Sequence, residues 1–131
     1  MPAPETTAYP FKTSVPETHA IYFEFAPNGA SAVSASSVKG VASVTRTGAG
    51  VFDITLKKRY GKFLGIYPTL QSNAAIDMTI QQTGAETVTT SNTAPKVTIT
   101  CQTAAVATDI AANANTKIRG IILVSRYKGN Y

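Results

Sequence analysis

Strict alternation of apolar and polar residues is the feature that most constrains this chain. Ile21, Phe23 and Phe25 alternate with Tyr22 and Glu24, and Phe52, Ile54 and Leu56 with Val51, Asp53 and Thr55. Val97, Ile99 and Cys101 alternate in the same way with Thr98, Thr100 and Gln102. A period of two puts each set on its own face of a strand, so one face is core and the other is not. Val, Ile and Thr supply 39 of the 131 residues, and β-branched side chains suit a pleated surface better than a helix. The length is enough for one modest core and not two.

The sharpest local signal is a hairpin. Val41 to Thr47 and Val51 to Leu56 are β-rich runs joined by Gly48-Ala49-Gly50, and glycine supplies the positive φ of a tight reversal. Further on, Leu64, Ile66 and Leu70 alternate, and Pro68 confines that strand to an edge or a bulge. Ile76, Met78 and Ile80 predict another half-buried strand. Lys117 to Arg126 is apolar on both sides at its centre, as expected of a strand in the middle of a sheet. Residues 30–37 fit a loop or a weak edge strand, residues 83–95 a polar loop, and the Ala-rich stretch 103–116 a helical turn at most. About seven or eight short strands at this spacing favour a two-sheet β-sandwich, jelly-roll-like, over a closed barrel.

Residues 1–18 differ in character and form an extended N-terminal arm preceding a β-sandwich domain at 19–131. Pro2, Pro4, Pro10 and Pro16 block both helix and ladder pairing. The arm is either a frayed terminus or a segment that docks on a neighbour through Tyr9 and Phe11. A second candidate interface is the basic loop Lys57, Lys58, Arg59, Tyr60 and Lys62. It reads as a solvated hairpin loop, a protein contact or, least well, a nucleic-acid patch, because base-stacking surfaces set several aromatics beside their charges.

Chemistry is sparse. One histidine, His19, and one cysteine, Cys101, exclude a Cys-type zinc site and an intrachain disulfide. The seven carboxylates show no spacing that pairs them for acid–base work. The expectation is no enzyme, no cofactor, no metal and no small-molecule substrate. Met1 to Glu5 lacks the charged and apolar regions of a signal peptide, and no apolar run approaches a membrane span. The net charge of +5 is small and scattered. These features predict a protein made in a reducing cytoplasm.

Two stretches carry a resemblance. The first runs from Val44 to Leu56 in a Gly-x-Gly-Val-aromatic-x-x-Thr-Leu pattern, followed by Tyr60 and Leu70-Gln71. The second runs from Asp109 to Arg126, an Asp-x-Ala-x-Asn loop leading into an apolar strand that ends in Arg. Together they resemble small all-β head decoration (cement) proteins of tailed bacteriophages. The resemblance implies a virion structural protein on the capsid exterior, made in the host cytoplasm. Its partner would be the major capsid protein, and its state a homo-oligomer, trimer or dimer. Modules of phage fibres and tail tips, which bind receptors, look similar and stand as the alternative. No catalytic residue is carried over.

Overall fold

The computed structural model describes residues 17–33, 40–90 and 93–126. Its strands in chain order are β1 (Thr18–Phe25), β2 (Val41–Gly48), β3 (Val51–Leu56), β4 (Lys62–Gln71), β5 (Thr79–Gln82), β6 (Lys96–Thr103), β7 (Val106–Ala107) and β8 (Lys117–Ser125). All pairings are antiparallel. A smaller sheet runs β1-β8-β4, and a larger one runs β2-β3-β6-β5 with β7 beside β6. Among the described residues there is no helix, and none is therefore long and apolar enough to cross a membrane.

The alternating sets meet as the sandwich core. Ile21, Phe23, Phe25, Ile118, Ile122 and Val124 of the smaller sheet face Phe52, Ile54, Val97, Ile99 and Cys101 of the larger, all buried. The Phe25 and Phe52 rings touch across the layers, with centroids 4.9 Å apart. The expected hairpin is β2–β3, and Gly50 closes it at φ +67°. A side chain there would lie 2.5 Å from the Thr108 carbonyl oxygen and 2.6 Å from that of Cys101, so the position needs glycine for space as well as for conformation.

β8 is the central strand of the smaller sheet, and β4 is an edge on which Pro68 lies opposite Gly120. The register of β4 shifts between Phe63 and Gly65. A bulge reverses the parity of side chains on its two sides. Phe63, Ile66 and Leu70 therefore pack on the core, where simple alternation named Leu64.

Other expectations change too. β5 begins only at Thr79, leaving Ile76 46% exposed. The loop 83–95 is not wholly polar at its contacts, because Val88 is fully buried in the core. The Ala-rich stretch makes no helical turn: Ala104 and Ala105 both take positive φ, 51° and 65°, and reverse β6 into β7. The N-terminal arm through Pro16, and 34–39 of the loop-or-strand segment, lie outside the described residues.

Candidate interaction surface

Two neighbouring surfaces gather the side chains suited to contact. The first is a groove of about 590 Å³ beside β1, lined by His19, Ala20, Ile21, Tyr22, Gly40, Lys57, Lys58 and Tyr60. Tyr60 is its centre. The His19 ring lies 6.3 Å from the Tyr60 ring, and Lys58 Nζ stands 5.6 Å from the Tyr60 centroid, within reach of a cation–aromatic attraction. Burial pushes the Tyr60 phenol up, with the Arg126 charge opposing it.

The basic loop does not act as one patch. Lys57 and Lys58 line the groove, but Arg59 turns the other way and donates from Nε to the Thr90 carbonyl and from Nη2 to the Thr93 carbonyl, both at 2.6 Å. Lys62 opens β4 opposite Ser125. Tyr9 and Phe11 lie outside the described residues.

The second surface is the outer face of the smaller sheet, which the loop-by-loop reading missed. The register aligns Tyr22, Ile121 and Tyr67 in one row across all three strands, and Ala20, Leu123 and Gly65 in the next. Tyr22 is 43% exposed and Tyr67 55%; Ile121 and Leu123 are half-buried. Charges close one end of this apolar strip. The Tyr22 hydroxyl donates to Glu24 Oε1 at 2.6 Å, and Lys117 Nζ and Arg119 Nε lie 3.6 Å from the same carboxylate. The tyrosine bond, then the two cations, holds Glu24 below the usual carboxylate range, and the same bond raises the Tyr22 phenol. The signal was present in the sequence as Tyr22, Tyr67 and Ile121, but only the pairing register brings them into one row.

A third feature is structural. Arg46 donates to Asp109 from Nε at 3.0 Å and from Nη2 at 2.8 Å, and the Gly50 amide donates to the same carboxylate at 2.8 Å. Arg46 is the first cause, and the Gly50 amide the second, of an Asp109 carboxyl held below its ordinary range. Asp109 is thus the clamp between the hairpin and the loop before β8.

The lone thiol is inert. Cys101 is fully buried, and burial, aided by the Asp109 charge, pushes it up to about 11. His19 is exposed on the other sheet, so the structure does not assemble a Cys–His pair. Among the described residues no group of three or more His, Cys, Asp and Glu is placed to hold a metal ion.

No family model, curated protein or solved structure matches the chain.

Proposed function

We propose that this chain is a virion structural protein: a capsid decoration (cement) protein of a tailed bacteriophage that binds the outside of the major capsid shell and stabilises it. The observation that carries the reading is the Arg46–Asp109–Gly50 clamp. It joins the two stretches that resemble phage decoration proteins, and it gives their shared Gly-x-Gly and Asp residues an architectural task. That supports treating both stretches as one structural module and not as a coincidence of turn residues.

The edges of the sandwich fit the same role. β1 and β4 border the smaller sheet, and β2 and β5 end the larger; burying an edge against another subunit removes its open hydrogen-bonding groups. On a shell of repeated subunits, many weak contacts add up to firm attachment. A homo-oligomer, trimer or dimer, would supply several such contacts at once.

The test is the copy number of this chain in purified particles, read against the major shell protein on one stained gel. Decoration requires a number comparable with that of the shell protein. A small fraction of it would overturn the reading in favour of a fibre or tail-tip module that binds receptor. DNA binding that weakens steeply with salt would instead favour a nucleic-acid role.

A further inference from the structure

We propose that the outer face of the smaller sheet is a groove for this chain's own residues 1–16, received as an extended proline-rich segment. The inference is independent of any virion role.

The receiving surface has the chemistry that proline-rich segments favour. Polyproline-type chains dock on aromatic-walled, apolar grooves, because their shape is already fixed and little entropy is lost. Here Tyr22 and Tyr67 stand on the two edge strands and Ile121 lies between them on β8. Neighbouring strands are about 4.8 Å apart, so the two tyrosines are separated by roughly 10 Å with Ile121 as floor. Leu123 and Ala20 continue the floor toward the end of the sheet where β1 begins. On β4 the Tyr67 ring leans over Gly65, its hydroxyl 3.0 Å from where a β-carbon there would stand, so the aromatic side is made by that ring.

The occupant is named by position and content. Residues 1–16 precede Glu17 and carry four prolines together with Tyr9, Phe11 and Val15. Glu17 has φ +51°, a left-handed turn that takes the chain off the line of β1 at the open end of the strip. From there, the Tyr22 row is about 17 Å away at the rise of a strand. At the rise of an extended proline-rich segment, Phe11 reaches roughly 19 Å from Glu17 and Tyr9 roughly 25 Å, so both come within range of Ile121 and Tyr67 of the same chain. Covalent tethering gives the near segment a far higher effective concentration than any second copy in dilute solution. The segment that follows β8 is a poorer fit: residues 127–131 contain no proline.

Nuclear Overhauser contacts in the full-length protein, with isoleucine and leucine methyls labelled, test this. The Tyr9 and Phe11 ring signals are assigned by their loss in Tyr9→Leu and Phe11→Leu. The expected result is cross-peaks from those rings to the Ile121 and Leu123 methyls. These should be absent from a filtered spectrum of mixed labelled and unlabelled chains, which reports contacts between copies alone. In the Tyr9→Leu, Phe11→Leu double variant the Ile121 methyl signal should shift while those of Ile54 and Ile99 stay in place. Tyr67→Ser should remove the cross-peaks and Tyr67→Phe should keep them. Cross-peaks that are missing, that arise only between copies, that come from Tyr127 or Tyr131, or that persist unchanged in Tyr67→Ser would overturn the proposal.

Discussion

The two sheets share one core, yet their outer faces are built from different chemistry. On the larger sheet the outward residues are nearly all polar and satisfy one another. Asp53 accepts from Thr98 Oγ1 at 2.6 Å and from Lys96 Nζ at 3.0 Å, Thr83 and Thr100 share a 2.8 Å hydroxyl contact, and Gln102 donates to Gln81. On the smaller sheet the same positions hold Tyr22, Ile121, Tyr67 and Leu123. Threonine keeps the β-branched fit of a strand while offering water a hydroxyl, which explains why a Thr-rich chain can expose one sheet. An apolar strip gains nothing from solvent. The difference separates a face made for water from a face made to be covered.

Substitutions can break or sharpen that contrast. The largest effect belongs to the shared core: Ile99→Ala in the larger sheet and Ile122→Ala in the smaller should each cost about 2–5 kcal/mol by denaturant unfolding. Both variants should unfold in one transition. Separate transitions would show that the sheets do not share a core at all. Next comes Gly50→Ala, whose added carbon meets backbone on two sides; strain and crowding together predict a loss of about 2–4 kcal/mol.

Asp109→Asn should cost about 1–2 kcal/mol at neutral pH, since charge-assisted bonds at a partly exposed site are lost. Folding lowers the Asp109 pKa, so its contribution is complete above the unfolded value and disappears as pH falls through the folded one. An acid titration of stability should therefore be shallower for Asp109→Asn than for the parent, and equal slopes would count against the clamp. The smallest effect is on the polar face: Thr98→Val removes a single bond to Asp53 and should cost about 0.5–1 kcal/mol. It should leave the methyl signals of Ile121 and Leu123 unmoved.

The fold was legible where a two-residue period ran uninterrupted. β1, β3 and β6 bury the residues that alternation picks out. Legibility failed wherever one residue changed the parity or conformation of its neighbours. The bulge beside Leu64 moved Phe63 to the core, and paired left-handed alanines replaced a helical turn at 104–105. Val88 stands alone among polar residues, so no period could mark it as buried. The surface suffered most. Sequence proximity grouped Lys57 to Lys62, whereas the chain turns Arg59 toward the Thr90 and Thr93 carbonyls. The Tyr22–Ile121–Tyr67 row joins residues from three distant strands, and the Arg46–Asp109 pair spans 63 positions. Neither can be read without the register.

The contrast between the two faces can be measured directly with a soluble paramagnetic agent added to the full-length protein. It relaxes methyl groups in proportion to their access to solvent. If the smaller sheet's outer face is covered, the Ile121 and Leu123 methyls will be relaxed about as little as those of Ile54 and Ile99, while the methyls of Thr45 and Thr79, exposed on the other sheet, will be strongly relaxed. Relaxation of Ile121 and Leu123 as strong as that of Thr45 and Thr79 would mean that both faces meet water alike, and the account would be wrong.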